Sequence, residues 1–493
     1  MKILFPLLLL VSLALAGIPK VLASETRVDS TGGLSLVMDD ESVAINPYIY
    51  SNPAGLGLLP VQNRFDYTEE WLRETAASTN EIIHLYGTYN DVGNSKFYYQ
   101  GLTVWPTDRW AVQADADLFN NDNGNFTYDL PPLTNDRTRE YVRTTYNFGP
   151  FVLGASLIPV QLNQTFNSYS TNPSSLFETT SGTGTYNSLT GTGGLLVCFP
   201  GDPGPKQSRL ELGGTFGSQL GMNQQKNDFG LEYNSVTPIN LTDTYLTTTD
   251  ITWQPQIFYE IPGSFQGALL GQFNRTNVTT QVVSTDTTLI KSTATYNSDN
   301  TTYSIGVATF KMTNSLSPSL NFKTGGYFSL ESATDDTFKS NGNPSNDGTI
   351  NTWVGQMGVG VESPGSFTVG LQAQITSANG QSVTNGLSPV NYLSYQFTVG
   401  GERWLSQDWA FRMGIVFEND LNTGDQDYAT LYYPVGPDQR ITATTLTAGV
   451  GYQDSHLKTD FMFWTGQPSI YGSPNTDDFA TQIGLQLALG IIF

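Results

Sequence analysis

"TQIGLQLALGIIF", Thr481 to Phe493, runs on a period of two. Ile483, Leu485, Leu487, Leu489, Ile491 and Phe493 fall on one face. Gln482, Gly484, Gln486, Ala488 and Gly490 fall on the other, where Ile492 is the only large apolar residue. That spacing makes a β-strand with one broad apolar side. The pattern recurs upstream. Trp110, Val112, Ala114, Ala116 and Leu118 alternate with Gln113, Asp115 and Asp117. Trp353, Met357, Val359 and Val361, then Phe367, Val369, Leu371 and Ile375, share apolar faces across a Ser-Pro-Gly-Ser turn, and Trp409, Phe411, Met413, Ile415 and Phe417 oppose Arg412, Gly414 and Glu418. Segments of about ten residues with one apolar and one polar face fit strands standing between lipid and a polar lumen. A soluble sandwich strand alternates too, so other features must choose between the two.

Compartment and composition make that choice. Lys2, the apolar run Ile3 to Ala16 and Val21-Leu22-Ala23 read as a secretory signal peptide over residues 1–23, with Ala14-Leu15-Ala16 as the alternative cut. Without those residues the chain carries 20 basic against 44 acidic side chains, a formal charge of −24, which argues against nucleic acid as a partner. Charged residues make up only 13% against about a quarter in ordinary domains, while aromatics reach 12%. A chain ending on Phe493 directly after such a strand resembles the C-terminal signal of bacterial outer-membrane barrels. The resemblance implies a partner, the barrel-assembly machinery, and a place in the outer membrane of a Gram-negative-type bacterium, crossed many times and surrounded by its lipid.

Short and long connections alternate. Pro106–Arg109, Pro262–Ser264, Ser315–Pro318, Ser363–Ser366, Leu405–Asp408 and Gln453–His456 read as short periplasmic turns; Thr165–Thr192 and Asp335–Asp347 read as long outer loops. Trp105 and Trp110 flank one turn, and Trp404 and Trp409 another, a spacing that suits either interfacial indoles or packing at strand ends. Pairing segments across turns gives 14 to 18 strands.

Ahead of the strands lies an unusual stretch. Ser42 to Gln62 contains no charged side chain and matches a membrane helix in length, but Pro47, Pro53 and Pro60 forbid that helix. The following "DYTEEWLRETAAS" reads as a short helix with Asp66 as N-cap and Glu69 at the capping-box position. The first strand is then expected near Glu81. The reading is a plug over residues 24–80, folded into the lumen of a barrel over residues 81–493, since irregular backbone at membrane depth is tolerated where protein covers it.

"DDESVAINPYIYSNPAGLGLLP" resembles the N-terminal plug motif of the FadL and TodX type of outer-membrane transporters, through Asp39, Asp40, Ser42, Asn52, Pro53, Ala54, Gly55 and Leu56. Asn46-Pro47 duplicates the Asn-Pro element. Trp409, Arg412, Gly414, Pro437, Asp438, Arg440, Gly449 and Tyr452 are similar to that family's closing strands. The resemblance implies a barrel of fourteen strands with a lumen plug, carrying long-chain fatty acids or other small hydrophobic molecules passively. It also puts forward Asn52, Pro53, Ala54 and Gly55 for gating and Arg412 and Arg440 as handles for a ligand carboxylate.

Catalytic chemistry is not expected. His84 and His456 are the only histidines, one in a strand and one in a turn, and neither is placed to meet a serine and an orienting acid. The single Cys198 reads as a packed strand residue, and no metal or cofactor site is proposed. Arg412, Lys458, Asp460, Asp115, Asp117, Glu402, Arg139 and Arg143 are expected to face the lumen. The rival functions are a general porin and a structural or adhesive surface barrel.

Overall fold

The computed structural model describes residues 27–38, 52–58, 61–78, 91–123, 133–172, 176–199, 208–219, 223–233, 240–285, 291–337, 346–382, 388–423, 428–429, 434–435, 439–471 and 478–493. Asp39, Asp40, Ser42, Asn46, His84, the signal segment and the strand expected near Glu81 lie outside these.

The strands in chain order are β1 Arg64–Ser78, β2 Asp91–Thr107, β3 Trp110–Asn123, β4 Leu133–Asn147, β5 Phe151–Asn172, β6 Leu176–Phe199, β7 Arg209–Gln219, β8 Asn223–Tyr233, β9 Asn240–Ile261, β10 Phe265–Thr285 and β11 Lys291–Ser317. They continue with β12 Leu320–Thr337, β13 Asn346–Ser363, β14 Phe367–Ser382, β15 Ser388–Trp404, β16 Trp409–Asn422, β17 Tyr428–Ala429, β18 Pro434–Val435, β19 Gln439–Gln453, β20 Leu457–Tyr471 and β21 Asp478–Ile492. Each wall strand pairs antiparallel with its neighbours, and β1 pairs with both β2 and β21, so the sheet closes. β7 and β8 both pair with β6 and β9 and are two pieces of one interrupted strand. The 19-stranded sheet is thus an 18-strand barrel, not the fourteen strands implied by the resemblance.

The sidedness expected from the period of two is present. Phe411 and Met413 are exposed while Ala410, Arg412 and Gly414 are buried, and Ile483, Leu487 and Ile491 point outward against buried Gln486 and Ala488. A belt of exposed apolar side chains around the whole wall has no counterpart on soluble monomers, which rarely expose more than a few hundred Å² in one patch; lipid is its natural solvent. Among the described residues no helix is long and apolar enough to cross a membrane.

Two expectations are corrected. Asp66 to Ser78 is not a helix but most of β1, so the barrel wall starts at Arg64. Glu69 and Glu70 imitate a helix start, yet two complete ladders of hydrogen bonds, to β2 and β21, outweigh local propensity. Thr165–Thr192 is not a loop: β5 and β6 pair from Phe151↔Val197 to Asn172↔Leu176. β6 is 24 residues long and β11 is 27, while about 9–11 residues cross a bilayer. Both strands, rich in Thr, Ser and Asn, are much longer than one crossing needs.

Candidate functional site

The N-terminal segment lies inside the barrel, near its short-turn end, in two described pieces. The first, Arg27–Met38, opens with a helical turn that closes on Gly32 and Gly33. Both have positive φ (79° and 83°), and Gly33 N donates to Val28 O (3.1 Å) while Gly32 N donates to Asp29 O (2.8 Å). That reciprocal pair is a Schellman ending, for which left-handed glycine is suited. Val28, Leu34 and Met38 then fold onto one another.

The wall receives this piece on glycines. A Cβ at Gly414 or Gly400 would overlap the Thr31 carbonyl; one at Gly325 would lie 2.6 Å from Leu36 O, and one at Gly370 2.8 Å from Val37 Cγ1. Only backbone without side chains leaves room for a second layer there. Polar contacts fix the register. Leu36 N donates to Gln372 Oε1 (3.1 Å), Thr447 Oγ1 donates to Ser30 O (3.0 Å), and Lys311 Nζ donates to Met38 O (2.7 Å).

Arg27 anchors the start. Its guanidinium donates twice to Glu402 (Nε–Oε2 2.8 Å, Nη2–Oε1 2.6 Å) and lies 6.0 Å over the Trp404 ring. Arg412 donates from Nε to the same carboxylate (2.6 Å) and from Nη1 to Asp460. Two cations and two anions therefore balance, and Glu402, Arg412 and Asp460 are all buried. Unpaired, any of them would be costly to bury; together they satisfy one another.

The second piece is neutral. Asn52 caps the 3₁₀ helix Pro53–Leu58: its Oδ1 accepts from Ala54 N (2.9 Å), and proline follows at the first helical position, where no donor is needed. Asn52 Nδ2 donates to Gln256 Oε1 (2.9 Å) and reaches the wall carbonyls of Leu195 and Gly214 at 3.4 and 3.5 Å. Ala54 packs with Val152, Leu196, Cys198 and Leu58, while Leu56 packs with Trp105 and Ala111. A Cβ at Gly154 would overlap the Pro53–Ala54 peptide.

The sequence-derived candidates separate on this geometry. Asn52, Pro53, Ala54 and Gly55 form one seat, and Arg412 belongs to the ionic anchor of the other. Arg440 does not join it. β19 turns Ile441, Ala443 and Gly449 inward, so Arg440 stands on the outer side of the wall, exposed, bonding Asn419 Oδ1 (2.7 Å). Arg143 and Asp115 pair in the lumen wall (3.3 Å), and Cys198 is buried as a packing residue. His456 sits in its turn beside Ser455 (2.7 Å). The side chains of Asp117 and Arg139 lie outside the described set. Missing from the sequence reading were Arg27, Gln256, Gln372 and the seat glycines, for which the signal was Gly at inward positions of otherwise regular strands.

The tryptophan pairs also resolve. Trp105 and Trp404 face the lumen, under Leu56 and Arg27, while Trp110 and Trp409 face outward, 42% and 49% exposed. One indole of each pair packs against the segment and the other is exposed on the outer face of the wall.

No family model matches the sequence, and no curated protein matches it. Among solved structures, the fold is similar to the TodX monoaromatic hydrocarbon channel in a mutant form, with 11% identity, 91% of this chain and 94% of that chain covered and a TM-score of 0.37. A FadL homologue from Pseudomonas aeruginosa has 11% identity, coverage of 94% and 96%, and a TM-score of 0.39. The ferric yersiniabactin uptake receptor FyuA from Yersinia pestis has 11% identity, coverage of 88% and 81%, and a TM-score of 0.47. Channels of the kind whose plug motif this sequence resembles are thus among its structural neighbours, alongside iron-chelate receptors. The barrel itself rests on its own strand pairing.

Proposed function

We propose that this chain is an outer-membrane channel for passive uptake of small hydrophobic molecules, closed at its short-turn end by the two pieces Arg27–Met38 and Asn52–Leu58. One observation carries the reading: the segment is seated on inward glycines of both halves of the wall and anchored at each piece. A barrel of 18 strands is wide enough to leave a water channel unless something fills it. A general porin has no use for such a layer, and a purely adhesive barrel carries its role in its loops. Hydrophobic compounds cross a charged outer leaflet poorly, so a protein path past it meets a physical need. The channel enters its membrane through the assembly machinery, by way of the strand ending at Phe493, and performs no covalent chemistry.

Uptake into proteoliposomes tests this. The intact chain is expected to admit a fluorescent fatty acid or a monoaromatic probe while excluding sugars. Free passage of a disaccharide with no preference for apolar probes would replace this reading with a general porin.

A further inference from the structure

On the outer face of the wall, where β6, β7 and β9 meet, bulky side chains are missing. Gly193 and Gly214 turn outward between Leu195, Phe216, Trp253 and Pro255, leaving a recess of about 520 Å³. The rim is apolar and solvent-facing: Leu195, Phe216 and Trp253 are 42%, 57% and 54% exposed. A Cβ at Gly193 would find no atom nearer than Phe216 O at 4.0 Å, so the space is open. Its cause lies in the backbone. Pro255 has no N–H for the ladder, the β9–β10 pairs at Gln254 and Pro255 are missing, and Gly271 lies against the proline ring.

We propose that this recess holds one acyl chain of lipid A, from the leaflet on the long-loop side. It is continuous with the lipid-facing belt: the outward residues of β9 from Ile251 to Ile261 are Ile251, Trp253, Pro255, Ile257, Tyr259 and Ile261. Within that run, Trp253 and Pro255 lie in the half farther from the short turns, which is the outer half of an outer membrane. No charged side chain lines the recess, so a headgroup or acidic peptide finds no partner there, whereas a flexible hydrocarbon chain needs only shape and dryness. The assignment rests on the outer-membrane reading and not on what passes through the lumen.

Native mass spectrometry of the full barrel in mild detergent, titrated with purified lipid A and separately with phosphatidylethanolamine, tests it. One retained lipid A is expected on the unaltered chain. Gly193→Trp fills open space and should lower that retention at least tenfold. Gly355→Trp is the control, at an outward glycine of β13 where the nearest atom to an added Cβ is Trp353 Cζ3 at 3.7 Å, and should leave it unchanged. Resistance of the heated barrel to SDS confirms that both variants are folded. Equal retention in the two variants, retention of phosphatidylethanolamine alone, or a dimer that Gly193→Trp abolishes would each overturn the proposal. None of these readouts involves transport, so failure here leaves the uptake assay as a separate test of the channel.

Discussion

The two pieces of the inner segment are held by different chemistry. At Arg27–Met38 the hold is ionic, with Arg27 and Arg412 sharing Glu402 and Arg412 also engaging Asp460. At Asn52–Leu58 it is an uncharged amide, a capped 3₁₀ turn and two apolar clusters. Both use the same device beneath, inward glycines that let a second layer of backbone approach the wall. The seat is thus a matter of space, while the latch is local chemistry, and the two can be broken separately.

The largest effect should come from the wall side of the ionic anchor. Arg412→Ala leaves Asp460 buried without its partner and is expected to cost about 3–5 kcal/mol, read as a loss of thermal stability in detergent. A neutral outcome would mean that water already solvates this corner of the lumen.

Next come the seats. Gly154→Leu drives a side chain into the Pro53–Ala54 peptide, and Gly414→Leu into Thr31; overpacking of this kind costs about 1–3 kcal/mol. Cys198, buried beside Ala54, is a native reporter. A maleimide should label it faster in Gly154→Leu and at the unaltered rate in Gly414→Leu. Equal labelling in both would show that the two pieces leave the wall together.

Single contacts follow, at the same size or less. Asn52→Ala leaves buried Gln256 without its partner, at about 1–3 kcal/mol whatever the salt concentration. Arg27→Ala leaves Glu402 still bonded to Arg412 and should cost about 1 kcal/mol or less, shrinking further in high salt. A reversed salt dependence would invert the assignment of the ionic and neutral seats.

The smallest effect lies outside the lumen. Asp454, in the turn between β19 and β20, accepts backbone N–H groups of His456 (2.7 Å) and Leu457 (2.8 Å), which hold its carboxyl below the ordinary 3.8. Its contribution is therefore complete above that ordinary value and disappears as pH falls through the depressed one. Amide exchange at His456 and Leu457 should speed up on that acid side, and Asp454→Asn should remove the step.

Much of this was legible from residues alone, for a physical reason. Alternation reports sidedness directly, which places Phe411, Met413, Val369 and Leu371 outward and Arg412, Glu402, Asp460 and Arg143 inward. Asn52–Gly55 were singled out by their resemblance to a plug motif and not by a local rule. What escaped was nonlocal. β1 carries helix-like charges, and its strand state comes from partners at opposite ends of the chain. Arg440 belongs to a family-like motif, but its face is set by the register of β19 against β16, one residue away from the lumen. β8 and the first half of β9 lack a clean apolar face, so their sequence does not announce them as wall strands.

Single-channel conductance in a planar bilayer, for the intact chain and for the chain lacking residues 27–58, tests the central claim most directly. The intact chain should be closed, or nearly so, to small ions, and the deletion should open a large, steady conductance suited to an 18-strand wall. A large conductance in the intact protein, unchanged by the deletion, would contradict the account.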